Sequence, residues 1–192
     1  MTVGIVHTGL ANTASVKAAF ARLDVALVDL DAAGVESVDA LVLPGVGAFG
    51  PAMAALHDQK LVAPLRARIA AGRPTLAICL GLQLLAASSE ESPGVDGIGV
   101  WDVGVTRLPA GVRVPQLQWN RVAGALGDGW AYFAHSYRLA AAPPGWAIAT
   151  TDHGGPVIAA VARGPVLACQ FHPELSGAWG QGLLRRWLAE AA

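Results

Sequence analysis

A chain of 192 residues is long enough for one well-buried domain and short for two. Hydrophobic residues make up 54% of it, charged residues only 14%, and the formal net charge is -1. Because nucleic-acid-binding domains usually carry a basic face, this charge argues against a nucleic-acid partner. The two cysteines lack the paired spacing of a zinc site, and we expect neither a metal nor a cofactor.

The beginning of the chain has no basic region followed by a long apolar stretch, and the apolar tract around residues 75 to 87 is interrupted by Gly81 and Gln83. The sequence therefore predicts neither a signal peptide nor a membrane span. We expect a soluble cytoplasmic protein with reduced thiols, folded as a single domain over residues 1–192.

In the first half, short apolar runs alternate with helix-period segments, which predicts an α/β fold with a mostly parallel central sheet flanked by helices. A strand over 3–6 comes first, and Asn12 is a suitable N-cap for the helix that follows it. Further strands are predicted over 25–28 and 40–43. Pro51 suits the first turn of one helix, and the next helix, carrying Leu61, Leu65 and Ile69, ends before Gly72 and Pro74.

From about residue 98 the pattern changes to short alternating or β-branched stretches, which predict added antiparallel or edge strands. These stretches lie around 103–107, 117–122, 130–134, 146–151, 157–161 and 165–170. A last helix is predicted over 178–190, with Leu183, Leu184, Trp187 and Leu188 on its buried face.

Cys79 stands where the apolar run 75–78 meets Leu80 and Gly81. A buried strand that turns sharply into a helix lifts the side chain at the turn out of the sheet and aims helix N–H groups at it. The positive end of a helix also lowers the pKa of a thiol. Cys79 is therefore the candidate nucleophile, whereas Cys169, inside an apolar run, is expected to be a core residue.

His172 and Glu174 supply the remaining members of a Cys-His-Glu triad. Pro173 between them biases His172 towards extended geometry, in which residues two apart point the same way. Glu174 should then hold one nitrogen of the His172 ring while the other nitrogen faces Cys79.

A tetrahedral oxyanion at Cys79 would need backbone donors, and the N–H of Leu80 is one candidate. The second must come from another loop. The glycine-rich segment 44–47 follows the apolar run 40–43, and therefore lies at the carboxyl end of a strand, where ligands bind in open α/β sheets.

These motifs resemble the class I (triad) glutamine amidotransferases, which have a flavodoxin-like fold. Within that superfamily, nearly the whole chain is similar to the glutaminase subunits of imidazole glycerol phosphate synthases. The segments that carry this similarity are residues 44–50, 78–85, 119–120, 132–137 and 170–177.

The resemblance implies that Cys79 hydrolyses L-glutamine to glutamate and ammonia without a cofactor. The ammonia would pass to a cyclase subunit, a (β/α)₈ barrel, in a heterodimer. That cyclase forms imidazole glycerol phosphate and an aminoimidazole carboxamide ribonucleotide in histidine biosynthesis. No nucleic acid or membrane is involved.

The resemblance also assigns roles position by position. Oxyanion donors would be Val46 and Leu80. Positions near the bound glutamine match Gly47, Gln83, Glu91, His135, Ser136 and Tyr137. Positions that face the cyclase match Asn12, Trp119 and Tyr132.

The chain departs from the family pattern over residues 6–12, where only Gly9 and Asn12 are kept, and at four further positions. The family usually has Gly at Ala77, His at Gln116, Gly at Gln118, and Lys at Leu175. The lysine pairs with an acidic residue of the cyclase in the family, and Leu175 removes that charged contact.

Three alternatives remain open. Residues 45–50 form a G-x-G-x-x-G pattern, which suggests a dinucleotide-binding dehydrogenase, but residues 59 to 78 contain none of the acidic residues that would bind the ribose. A non-catalytic scaffold subunit is suggested by Gln116, Gln118 and Leu175. Another class I amidotransferase could feed ammonia to a different synthase.

Overall fold

The computed structural model describes residues 1–7 and 13–192, and Asn12, with both roles predicted for it, lies outside them. The first half contains β1 Val3–Val6, α1 Thr13–Ala21, β2 Leu27–Leu30, α2 Ala32–Ser37, β3 Ala40–Gly45, α3 Phe49–Asp58, α4 Val62–Ala70, β4 Thr75–Cys79 and α5 Leu80–Leu84. The second half contains β5 Ser88–Ser89, β6 Gly104–Arg107, β7 Gln116–Gly124, β8 Gly129–His135, β9 Tyr137–Leu139, β10 Ala147–Asp152, β11 Pro156–Arg163, β12 Val166–Cys169, a 3₁₀ turn Pro173–Leu175 and α6 Gly177–Ala191.

Among the described residues, nine strands form one sheet in the order β2-β1-β3-β4-β12-β11-β10-β7-β8. The pairs from β2 to β12 are parallel, and those from β12 to β8 are antiparallel. A small second sheet contains β5, β6 and β9. The predicted α/β class, with a mixed sheet and helices on it, is confirmed.

The prediction that the second-half strands are antiparallel or at an edge holds on only one side of β12. This strand lies in the middle of the large sheet, parallel to β4 on one side and antiparallel to β11 on the other. Its four residues are all buried, as expected for a strand covered on both faces. The predicted strand 25–28 is found two residues later, at Leu27–Leu30, and the sequence patterns missed α2, β5 and β9.

The central strands are buried because helices cover the sheet. Phe20 on α1 and Trp187 on α6 pack edge to face, with ring centroids 6.1 Å apart. Phe49 and Met53 on α3 belong to a separate cluster of buried side chains. Within the described part of the chain, no helix is long and apolar enough to cross a bilayer.

Candidate active site

The register of the sheet brings three strand ends together. Gly45 of β3 pairs with Cys79 of β4, and Ile78 of β4 pairs with Cys169 of β12. Residues 46 and 47, the turn at Cys79 and residues 170–172 therefore emerge at the same edge of the sheet. This is the edge at which open α/β sheets bind ligands.

Cys79 lies at a strained turn between β4 and α5. Its φ is 55° and its ψ is -109°, a combination that L residues rarely adopt. The chain reverses there at once, and Leu80 is the first residue of the helix. The first N–H groups of α5 have no acceptor within the helix. The predicted strand–nucleophile–helix turn is therefore present.

Two glycines allow β3 and α5 to approach so closely. A Cβ added at Gly81 would lie 2.1 Å from the carbonyl oxygen of Leu43. One added at Gly45 would lie 2.8 Å from Cβ of Leu80. Both distances are too short for a side chain. Ala77, which stands where the family has glycine, is accommodated in the core with no exposed surface.

His172 is oriented by Glu174, as the spacing predicts, but along a different path. Nδ1 of His172 lies 2.8 Å from Oε1 of Glu174, and both side chains are buried. His172 is extended, with φ -98° and ψ 95°, whereas residues 173–175 form a 3₁₀ turn. The expectation that Glu174 reaches the ring along an extended segment is wrong, because this turn brings the carboxylate back under the imidazole.

The Ser176 hydroxyl fastens this turn to β8. It donates to the carbonyl of His172 at 2.6 Å and accepts from the amide of Tyr132 at 3.0 Å. The amide of His172 also donates to the Tyr132 carbonyl at 2.9 Å. The backbone that carries the imidazole is therefore tied to a strand that also lines the site.

The surroundings of His172 favour its charged form. Burial, the largest single contribution, lowers the pKa of His172, but hydrogen bonding to Cys79 and Glu174 and the attraction of their negative charges raise it to about 10. These contacts therefore favour a protonated imidazole beside the sulfur.

A cavity of about 350 Å³ opens over Cys79. Its lining contains Val46, Gly47, Cys79, Leu80, Gln83, Glu91, Ala134, His135, Ser136, Tyr137 and His172. The structure thus brings together all the residues predicted for the nucleophile, the base, the oxyanion donors and glutamine binding, with Glu174 behind His172. A larger cavity of about 600 Å³ beside α6 shares no lining residue with it and has no cysteine.

Glu91 joins the cavity to the start of α3. Its Oε2 accepts from the amide of Phe49 at 2.8 Å, and Ser92 Oγ accepts from the amide of Gly50 at 3.0 Å. A carboxylate at a helix N-terminus satisfies free N–H groups and is stabilised by the helix dipole. Glu91 therefore fixes the helix that follows the segment carrying Val46 and Gly47.

His135 lies in the same cavity, in surroundings opposite to those of His172. Burial lowers the pKa of His135 to about 4, so the ring is neutral. Nδ1 lies 2.8 Å from the carbonyl of Tyr137, which can only accept, and therefore carries the proton. Nε2, which then has no proton, lies 2.9 Å from Oε1 of the fully buried Gln116, whose own Nε2 has no partner. Exchanging the nitrogen and oxygen of this amide gives Nε2 of His135 a donor and gives the amide nitrogen an acceptor.

Two residues that touch the sulfur were missed by sequence reasoning. The thiol of Cys79 donates to the carbonyl of Ala134 at 3.8 Å, and Nε2 of Gln170 lies 3.8 Å from the same sulfur. A main-chain carbonyl leaves no signal in the residue type. The residue type of Gln170 was a usable signal, because it is a polar residue between Cys169 and Phe171 at the end of a buried strand.

An apolar surface lies next to the mouth of the cavity. Trp119 and Tyr132 face each other across β7 and β8, with ring centroids 6.2 Å apart, and Trp119 is 49% exposed. Leu175, in the turn after His172, is 45% exposed. Leu117 and Trp130, on the same outer face of the hairpin, are exposed too. We call Leu117, Trp119, Trp130, Tyr132 and Leu175 the apolar rim.

Comparison with known proteins identifies the family. Residues 5–191 match the family described as glutamine amidotransferase class-I. The chain is 43% identical to the imidazole glycerol phosphate synthase subunit HisH of Symbiobacterium thermophilum, over 95% of this chain and 91% of that protein. It is 39% identical to the chloroplastic imidazole glycerol phosphate synthase hisHF of Arabidopsis thaliana, over 97% of this chain but only 34% of that protein.

Solved structures show the same fold. A crystal structure of a glutamine amidotransferase superposes with a TM-score of 0.81 at 24% identity, and the match covers 100% of this chain and 99% of that chain. At this identity the likeness concerns the fold alone. The sheet and its helices are arranged in this chain as they are in that structure.

Proposed function

The chain belongs to the class I glutamine amidotransferase family, and from that premise we propose that it is the glutaminase subunit of an imidazole glycerol phosphate synthase. The observation that carries the proposal is Cys79 at a strained strand–helix turn, in one cavity with the imidazole of His172, which Glu174 orients. The match to the HisH relatives over almost the full chain selects this synthase rather than another amidotransferase.

The reaction begins with attack by Cys79. The sulfur forms a bond to the carboxamide carbon of glutamine, and the carbonyl oxygen becomes an oxyanion. The N–H of Leu80 at the start of α5 and that of Val46 are the proposed donors to this oxyanion. His172 then gives its proton to the nitrogen, the C–N bond breaks, and ammonia leaves a glutamyl thioester on Cys79.

Hydrolysis of the thioester reverses the roles. His172, now neutral, takes a proton from water as the oxygen attacks the thioester carbon, and the C–S bond breaks to give glutamate and the thiolate. Glu174 keeps Nδ1 of the ring protonated throughout, so that Nε2 remains the nitrogen that exchanges protons. The pair returns to its starting charges.

Recognition of glutamine is assigned to the wall opposite the triad. Glu91 offers a carboxylate to the α-ammonium group, while the segment 135–137 and Gln83 border the rest of the cavity. The cavity of about 350 Å³ suits a substrate the size of an amino acid.

The partner is proposed to be the cyclase of the synthase, with a (β/α)₈ barrel, in a heterodimer. The Arabidopsis relative, of which the chain matches only a third, is named as the whole synthase. The apolar rim beside His172 is the proposed contact surface, because exposed apolar patches next to a reactive centre mark interaction sites. Leu175 contributes an apolar contact there in place of the charged pair.

A glutaminase assay with and without the partner tests this function. We expect the isolated chain to release little ammonia from glutamine, and release to rise when the cognate cyclase and its nucleotide substrate are added. Full activity of the isolated chain would contradict the coupling between the subunits. Absence of activity under both conditions would contradict the proposed function itself.

A further inference from the structure

Gln170 is buried against the sulfur of Cys79, behind the lining of the cavity, and has no role in the mechanism above. Its side chain is fully buried, and it follows β12 directly, two residues before His172. A buried amide at such a position needs partners for both of its ends, because an unpaired buried polar group is costly. Its partners therefore determine how it is oriented.

A chain of hydrogen bonds fixes that orientation. The carbonyl of Tyr137 can only accept, so Gln83 presents Nε2 to it, at 2.8 Å. The same Nε2 donates to Oε1 of Gln170 at 3.1 Å. With its oxygen held in this way, Gln170 turns its own Nε2 towards Sγ of Cys79, at 3.8 Å.

The direction of this last contact matters for the chemistry. An N–H aimed at sulfur stabilises the thiolate, whereas the Ala134 carbonyl on the sulfur accepts from the neutral thiol. Gln170 and the Ala134 carbonyl therefore act in opposite directions on the same atom. The sulfur carries negative charge before it attacks and again when the thioester is hydrolysed, and a donor serves both moments.

We propose that Gln170 is a further catalytic residue, which donates its amide N–H to the Cys79 thiolate and is held in that orientation by Gln83 and the Tyr137 carbonyl. The inference rests on the proposed function, because it assigns Gln170 to the same nucleophile. The main-chain donors proposed above act on the oxyanion, whereas this side-chain donor acts on the sulfur.

The titratable groups around the sulfur come from several elements and stay in place when Gln170 is changed. His172 and Glu174 follow β12, His135 and Tyr137 lie at the end of β8 and the start of β9, and Glu91 follows β5. A shift in the midpoint of Cys79 alkylation that appears when the Gln170 amide is removed or released, and not in the control, therefore reports on Gln170.

The test is the pH dependence of Cys79 alkylation by iodoacetamide, followed on the Cys79 peptide by mass spectrometry. Gln170→Met keeps the length and removes the donor, and Gln170→Glu keeps an acceptor for Gln83 but replaces the donor with an oxygen. We expect the pH at which alkylation is half-maximal to rise by about one unit in Gln170→Met and by more in Gln170→Glu. Gln118→Glu, on the exposed Gln118 outside the cavity, is the matched control and should leave the midpoint unchanged.

An unchanged midpoint in folded Gln170 variants would overturn the inference. Gln83→Met releases the Gln170 amide from its other end without altering Gln170, and should shift the midpoint in the same direction by less. That variant decides the matter if both Gln170 variants fail to fold: no shift overturns the inference, and a shift supports it. Alkylation needs no glutamine. The expected shift in the Gln170 variants, together with no ammonia release by the unmutated chain and its partner, would therefore contradict the proposed function and leave the inference standing.

Discussion

Two buried histidines face the same cavity from two regions of the sheet and have opposite charge states. His172, after the central strand β12, touches a thiol and a carboxylate, and its pKa rises to about 10. His135, at the end of β8, touches a main-chain carbonyl and an amide, and burial lowers its pKa to about 4. Burial lowers the pKa of both rings. At His172 the hydrogen bonds to Cys79 and Glu174 and the negative charges of these groups outweigh burial, whereas at His135 the positive charges of His153, His172 and Arg138 add to it.

The comparison distinguishes two walls of the cavity. We expect the wall with His172 to transfer protons and the wall with His135 to shape the space for the substrate. His172 has one ring nitrogen bound to Glu174 and the other directed at the chemistry. His135 has both nitrogens engaged by protein groups, and cannot exchange a proton without breaking one of those contacts. We therefore expect the same residue type to serve proton transfer at one wall and to shape the substrate site at the other.

The largest expected effect comes from Cys79→Ala. Ammonia release from glutamine in the partner complex should fall at least about 10⁴-fold, because no other described group in the cavity can form the thioester. The same change removes an anionic neighbour, so the pKa of His172 should fall while that of His135 stays low. Imidazole ¹⁵N NMR at a series of pH values measures both rings. Retained ammonia release would refute the assigned nucleophile.

Changes in the base and in its orienter should differ in size. His172→Ala removes the proton donor itself, whereas Glu174→Ala leaves a histidine with less fixed orientation and charge. We expect the loss of kcat from Glu174→Ala to be smaller by about one to two powers of ten. Steady-state kinetics of the partner complex at saturating glutamine measures it. Equal or reversed losses would show that Glu174 does more than orient the ring.

A smaller and different effect is expected at His135. His135→Gln should raise KM for glutamine about tenfold through the altered cavity wall, and change kcat little. Because the ring is neutral and takes no part in proton transfer, the pH profile of kcat should keep its shape. A profile altered on its acid side in this variant would show that His135 titrates during turnover.

The two rings should also affect the pH dependence of folding stability in opposite directions. His135 contributes stability that is present above pH 6.5 and is lost as the pH falls towards about 4. His172 contributes stability that is present below pH 6.5 and is lost as the pH rises through about 10. In the unmutated chain, the urea concentration at the unfolding midpoint, measured from pH 4 to 10, should fall towards both the acid and the alkaline limit.

Single variants assign each end of that curve. His135→Gln should reduce the fall of the midpoint at acid pH only, and His172→Asn should reduce the fall at alkaline pH only. If either variant flattens both sides, the two groups are not independent, and the distinction between the two regions fails.

Local patterns predicted much of the site. A cysteine between an apolar run and Leu-Gly, a glycine-rich loop after a strand, and His-Pro-Glu are patterns of a few adjacent residues each, and the structure brings all three to one cavity. Family resemblance located Gln83, Glu91 and residues 135–137, which the structure brings into the cavity.

What the sequence did not predict depends on long-range pairing. Nothing local to residues 166–169 indicates that they lie beside β4, about ninety residues earlier, so their central place in the sheet was missed. The 3₁₀ turn at Glu174 was missed because Pro173 is compatible with either geometry. The contacts of Gln116 with His135 and of Gln170 with Cys79 likewise exist only once the sheet has formed.

The reactivity of Cys79 towards a glutamine-derived electrophile tests the central claim most directly, with Cys169 as an internal control. Cys169 is fully buried and its thiol pKa is raised by burial, so it should stay unlabelled. The account predicts one adduct in the partner complex, on Cys79, that excess glutamine prevents. An unlabelled Cys79, or labelling that glutamine does not affect, would contradict it.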